Sequence, residues 1–299
     1  MASSSSADLL LHQLPKENFW DLSDLRLWEG STWLRALCFS IMNAKPNEEE
    51  EKDTLAETPP DSYVRNLEAQ VYLKGHCPPD LSNMPSPGLF HSHLAYNSLP
   101  ASIKNSNCKM VYITRNPKDT LVSMWHFFNS TRTSEQESYP FDKAFDSFCQ
   151  GIVPGGPFFE HVLQYWHESL RRPDKILFLK YEELQNDPKE QVRKLASFLG
   201  RPFAKEEEID KVLGRCNFLR LKNLEINQKG TSSMLNLPHG AFFRRGVTGD
   251  WKNYLTAEMS EKLDQITRTK LLGISSDTSC WVLALIPLLL GPFNQLREN

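Results

Sequence analysis

Lys109-Met-Val-Tyr-Ile-Thr-Arg-Asn-Pro-Lys-Asp119 is the stretch that decides the fold. Its apolar centre has the length and β-branched content of a buried strand. Arg115-Asn-Pro-Lys-Asp119 then turns the chain into a helix running from about Asp119 to Asn129. A second apolar run, Lys175-Ile-Leu-Phe-Leu-Lys180, predicts another buried strand, ended by Tyr181-Glu-Glu-Leu184 and followed by a helix from Pro188 to Leu199. Helical spacing fills residues 141–150 and 157–172 between them. Strands alternating with helices predict an α/β fold, a central parallel sheet with helices on both faces. Ligands of such sheets sit at the carboxyl ends of the strands, so Arg115 and Tyr181 are expected beside one crevice.

Working outward, Ser31 or Thr32 is placed to cap a helix from Trp33 to about Asn43, with apolar positions at Trp33, Leu34, Leu37, Phe39, Ile41 and Met42. Pro46 to Asp61 reads as a linker, with an acidic run at Glu48–Glu51 and a break at Pro59-Pro60. Gly88-Leu-Phe-His-Ser-His-Leu94 reads as a short strand whose alternation sends His91 and His93 to one face.

Composition limits the function. At 299 residues the chain can bury a large core, and 40% hydrophobic with 24% charged residues suit a globular protein. A net charge of -3 argues against a general nucleic-acid binder. Six cysteines without a CxxC pair argue against a zinc site or a disulfide framework. Met1-Ala-Ser-Ser-Ser-Ser-Ala-Asp8 lacks the basic and apolar regions of a secretory signal, so a cytoplasmic location is expected. The apolar segment Cys280–Leu290 is broken by Pro287 and falls short of the ~20 residues of a spanning helix, so no membrane partner is expected.

Two segments suit an anion. Arg115 stands where a helix begins, where backbone N–H groups and the helix dipole favour negative charge, and Ser123 lies in the first turns of that helix. The structural alternative for Arg115 is an ion pair with Asp119. Phe242-Phe-Arg-Arg-Gly-Val-Thr-Gly-Asp-Trp251 pairs two guanidinium groups with glycines that permit close backbone approach. His91 and His93 are each candidates for a general base, since imidazole titrates near working pH. His126 reads as a structural residue of its helix.

These stretches together resemble the plant soluble, cytosolic-type sulfotransferases, over about residues 31–272. The most specific stretch is Cys108 to Phe127. Gly155-Gly-Pro-Phe158 with Tyr165-Trp166, Phe178 to Leu184, Lys222-Asn-Leu-Glu225 and Phe243-Arg-Arg-Gly-x-x-Gly-Asp-Trp251 follow in family order. The resemblance implies a P-loop-like fold over 31–273, between an irregular segment at 1–30 and an atypical apolar tail at 274–299. It implies transfer of a sulfuryl group from 3'-phosphoadenosine 5'-phosphosulfate (PAPS) to a hydroxyl of a small metabolite. Flavonoids, steroids, hydroxyjasmonates and desulfoglucosinolates are the acceptor classes. By the same resemblance Arg115, Ser123, Arg244, Arg245 and Gly246 hold the nucleotide 3'-phosphate; Trp33, Tyr181 and Phe218 surround the adenine; and His93 is the base. Neither a metal nor a covalent intermediate is implied.

One departure is plain. The family's first phosphate loop is Pro-Lys-(Ser/Thr)-Gly-Thr-Thr-Trp after a buried strand. Here Trp28-Glu-Gly-Ser-Thr-Trp33 stands in its place, without the Lys and without the strand. Losing one transition-state donor in comparable sites costs about 10²–10³ in rate. A non-catalytic relative that retains the nucleotide site therefore stays open beside the enzyme. A kinase or other NTPase would need a complete Gly-rich loop with a Mg²⁺ carboxylate, and neither is visible.

Overall fold

The computed structural model describes residues 31–44, 53–67, 88–132, 135–232 and 237–272. The loop remnant Trp28–Gly30 and the segments 1–30 and 274–299 lie outside the described residues, as does the acidic run Glu48–Glu51.

Strand β3 (Met110–Thr114) pairs in parallel with β4 (Ile176–Lys180), with Met110 opposite Ile176 and Thr114 opposite Lys180. The shorter pair β1 (Arg65–Asn66) and β2 (Phe90–His91) is also parallel. Side chains alternate across β3 and β4 as a pleated strand requires. Val111, Ile113, Leu177 and Leu179 enter one core, with α1 (Ser31–Asn43), α6 (Pro188–Phe198), α7 (Glu206–Arg215) and α8 (Phe218–Asn223). Met110, Tyr112, Ile176 and Phe178 face the other side, with Tyr96, Leu99 and Tyr165. Beyond them α2 (Pro117–Ser130), α3 (Phe141–Cys149), α4 (Phe158–Arg171) and α9 (Ala257–Leu272) share the largest aromatic core. Helices thus cover both faces, as expected of α/β architecture.

Some expectations need correction. The sheet is not continuous: among the described residues the parallel pairing comes in two separate two-stranded pieces. Among the described residues neither β3 nor β4 has a second ladder partner, and Met110 to Ile113 are only half-buried where the apolar run predicts full burial. The strand expected over Gly88–Leu94 contracts to two residues, because its partner β1 is itself only two residues long. Helix α2 begins at Pro117 rather than Asp119, since the Asn116 side chain caps it by accepting from the Lys118 amide, and proline suits the first turn. Part of the expected linker is structured. Leu55 in the turn Thr54–Glu57 is fully buried beside α1. Tyr181 opens a short helix, α5 (Tyr181–Asn186), directly after β4.

Candidate functional site

The register of β3 against β4 sets the site. With Thr114 opposite Lys180, the next residues on each strand, Arg115 and Tyr181, leave the sheet side by side. The Arg115 guanidinium lies 4.7 Å from the centre of the Tyr181 ring. Such stacking is favourable because the ring face carries negative charge density. Its Nη2 also donates to the Val247 carbonyl at 2.6 Å, drawing the glycine-bearing turn of residues 244–249 onto the strand ends.

Asp119 sets the other side of that turn. It is buried on the first turn of α2 and its two oxygens accept from the Gly249 amide at 2.7 Å and the Trp251 amide at 3.0 Å. Its separation from Arg115 is 3.9 Å. The ion pair is thus secondary, and Asp119 serves mainly as an acceptor for backbone amides. Asp250 points the opposite way, accepting from Arg244 at 2.6 Å and from Arg245. Burial opposes the charge on Asp250, but the hydrogen bond from Arg244, that from Asn253 and the two guanidinium charges outweigh it and hold the carboxyl below its ordinary range. Each arginine spends part of its five-donor fork on Asp250 and keeps donors for an anion.

Gly246 lies against an aromatic face. Its φ is +65°, and a Cβ at this position would fall 2.6 Å from the Phe218 ring carbons. Only glycine combines the left-handed backbone with so close an approach. Gln185 ties the Gly246 carbonyl and the Tyr181 hydroxyl together, donating to each at 3.1 Å. Trp33, from the first turn of α1, meets the Tyr181 ring edge-on at 5.9 Å. Trp33 and Phe218 pack on the same core. Burial raises the Tyr181 hydroxyl above its ordinary range, against the nearby Arg115 charge. Ser123 is half-buried on α2, whose start carries Asp119. Seven of the nine candidate residues (Trp33, Arg115, Tyr181, Phe218, Arg244, Arg245 and Gly246) thus join one network of guanidinium groups, amides and rings. That network has the donors a phosphate requires and the flat apolar surfaces a purine requires.

His93 belongs to a second cluster at the end of β2. Its ring lies edge-on to His91, with centroids 5.4 Å apart. His91 is fully engaged: Nδ1 lies 2.9 Å from the Val64 carbonyl and Nε2 lies 3.2 Å from the Asn66 amide. Burial, then the charge of Arg35, push its pKa down to about 2, so it stays neutral. His91 therefore acts as a brace. Arg35, buried on α1, folds back to donate to Thr32 Oγ1 at 2.8 Å.

Sequence reasoning passed over several of these groups. Arg35 looks like a surface position of its helix, and Asp119 and Asp250 look like partners of the nearest arginine. His161 on α4 lies on an apolar helical face, where a histidine reads as ordinary core. His126 was read as structural, and it packs against Tyr254 at 5.0 Å. It lies close enough to the arginine turn that burial and then Arg244 lower its pKa. Among the described residues no three His, Cys, Asp or Glu side chains gather as a metal site, and no helix is long and apolar enough to cross a membrane.

The chain is similar to known proteins over most of its length. Residues 29–275 match the family described as Sulfotransferase domain. Cytosolic sulfotransferase 5 of Arabidopsis thaliana is 42% identical over 247 residues, covering 81% of this chain and 76% of the relative. An Arabidopsis thaliana crystal structure described as a putative steroid sulphotransferase superposes with a TM-score of 0.62 at 29% identity, covering 91% of this chain and 97% of that one. A mouse sulfotransferase complexed with PAP superposes with a TM-score of 0.60 at 28% identity, covering 77% and 82%.

Proposed function

Because the chain belongs to the sulfotransferase family, of the plant cytosolic type, we propose that it moves a sulfuryl group from PAPS to a hydroxyl of a small metabolite, with His93 as the general base. The observation that carries this reading is the convergence of Arg115, Arg244, Arg245 and Gly246 on one turn, beside Tyr181 and Phe218.

The residues fit the nucleotide by their chemistry. Arg115 leaves its strand at a helix start, where amides and dipole add to its own charge. Arg244 and Arg245 supply further donors, and Ser123 adds a hydroxyl from α2. The bare backbone at Gly246 lets a phosphate oxygen approach the amides of that turn. Trp33, Tyr181 and Phe218 offer ring faces and edges to the adenine. When bound, PAPS supplies the sulfuryl group and a phosphate leaving group.

At the acceptor, His93 takes the hydroxyl proton as the oxygen bonds to sulfur. The bond from sulfur to the bridging oxygen breaks, and its electron pair stays on the departing phosphate. Positioned base assistance is typically worth about 10²–10⁴ in rate. His91 is poorly suited to that role, since Val64 and Asn66 occupy both its nitrogens. The named relative is cytosolic and one structural neighbour is described as a putative steroid enzyme. For this chain we extend that to a cytoplasmic enzyme acting on hydroxyls of the flavonoid, steroid, hydroxyjasmonate or desulfoglucosinolate classes.

The test is a titration of the purified chain with 3',5'-adenosine bisphosphate, followed by transfer from PAPS to a panel of those acceptors. Binding together with sulfated product supports the reading, and His93→Ala should then abolish turnover while leaving nucleotide affinity intact. Binding without product from any acceptor would favour the non-catalytic relative. An unaltered rate in His93→Ala would remove His93 from its role.

A further inference from the structure

We propose that His161, oriented by Tyr112, is a positioning residue that holds the backbone of His93 in place; the inference rests on the reading of His93 as the base.

Among the described residues the β1–β2 ladder ends at His91. Helix α4 grips the segment beyond it. His161 Nε2 lies 3.2 Å from the His93 carbonyl, and one turn later the Tyr165 hydroxyl donates to the Leu94 carbonyl at 2.8 Å. Two successive carbonyls are thus gripped by side chains four residues apart, which a helix places on one face.

The tautomer of His161 is dictated by its surroundings. A carbonyl can only accept, so Nε2 must carry the hydrogen. The other nitrogen, Nδ1, lies 3.0 Å from the Tyr112 hydroxyl. A neutral ring with Nε2–H leaves Nδ1 as an acceptor, and the Tyr112 hydroxyl has a proton to give. Tyr112 is itself fixed from β3 by stacking on Tyr165, with centroids 4.2 Å apart and planes 15° from parallel. Burial keeps both partners uncharged: it lowers the His161 pKa to about 4 and raises the Tyr112 hydroxyl well above its ordinary range. The chain of bonds from Tyr112 to His161 to the His93 carbonyl therefore has one direction. It ties the base-bearing segment to α4 and to β3, the strand that leads into Arg115.

A core histidine with no positioning role would, on replacement, weaken the whole domain evenly. A positioning histidine loosens residues 92–96 beyond the rest. Amide hydrogen exchange on the full chain distinguishes these, comparing His161→Leu, His161→Gln and Tyr112→Phe with the parent. Glutamine presents an N–H near the position of Nε2 and should restore the hold; leucine cannot. With leucine, exchange over residues 92–96 should rise about tenfold relative to α6, the effect of one lost hydrogen bond. Turnover should fall about 10–10²-fold through misplacement of the base, with affinity for 3',5'-adenosine bisphosphate unchanged. Tyr112→Phe should give a smaller change of the same kind. Exchange that rises equally throughout, or leucine and glutamine variants that behave alike, would overturn the proposal. Local loosening with full turnover would sustain the positioning of His93 and reject His93 as the base.

Discussion

Replacing Gly246 and Gly249 by alanine in separate variants tests the geometry of the nucleotide turn. Both glycines have positive φ, +65° and +82°, so each substitution carries the same backbone penalty, roughly 1–2 kcal/mol. Their surroundings differ. A Cβ at Gly249 meets nothing within 4 Å, whereas at Gly246 it falls 2.6 Å from the Phe218 ring. Van der Waals contact requires the ring to retreat by several tenths of an ångström, and the ring is held from behind by Phe243 and the α8 core. Overpacking of this kind adds about 1–3 kcal/mol. Gly249→Ala should thus lose about 1–2 kcal/mol in urea unfolding and Gly246→Ala about 2–5 kcal/mol. Affinity for 3',5'-adenosine bisphosphate separates the two further. Moving Phe218 and the Gly246 carbonyl together disturbs both the proposed adenine surface and the proposed phosphate turn, and a loss near 1.4 kcal/mol would be a tenfold weakening. Gly249→Ala should retain binding, since its amide still reaches Asp119. Equal stability and equal affinity in the two variants would refute the role assigned to the Gly246–Phe218 contact.

Two further outcomes follow from burial and charge. The depressed pKa of Asp250 means that its ionised form contributes stability above the ordinary carboxylate pKa, a contribution lost as pH falls from there through the lowered folded value. The urea midpoint of the parent should drop over that acid range more steeply than that of Asp250→Asn, which lacks the titrating group; parallel curves would contradict the ion pairs drawn here. Thiol labelling is the other test. Cys108 is exposed, while burial pushes Cys38 and Cys216 up to about 12 and Cys149 up to about 11. Mass spectrometry after mild alkylation at pH 8 should find Cys108 modified before these three, and early labelling of Cys216 would count against the packing around Ser40.

The parts of this protein legible in its sequence are those governed by local pattern. The runs Met110–Thr114 and Ile176–Lys180 are apolar, bounded by turns and followed by helices, and they form strands in parallel register. That register alone brings Arg115 beside Tyr181. The arginine–glycine turn carries only a weak local signal, since an exposed basic turn has the same pattern. Pairing across long distances was less visible. Nothing in residues 88–94 reveals that the β1 partner is two residues long, so the strand was drawn too far. Asp119 stands four residues from Arg115, yet its oxygens accept from the Gly249 and Trp251 amides, 130 and 132 residues away. His161 carries no local signal, since a buried histidine on a helix looks the same whether it fills space or holds a remote carbonyl. Its meaning appears only when the turn after β2 is laid against α4.

The bond from Arg115 to the Val247 carbonyl joins positions 132 residues apart. Closing so long a loop costs chain entropy before any contact rewards it, and folds rich in such closures form slowly. The contact itself forms only once the turn at residues 244–249 has docked on the strand ends. A ligand that recognises only the docked state stabilises the native protein. At a hundred times its dissociation constant, such a ligand would add about 2.7 kcal/mol to the native side.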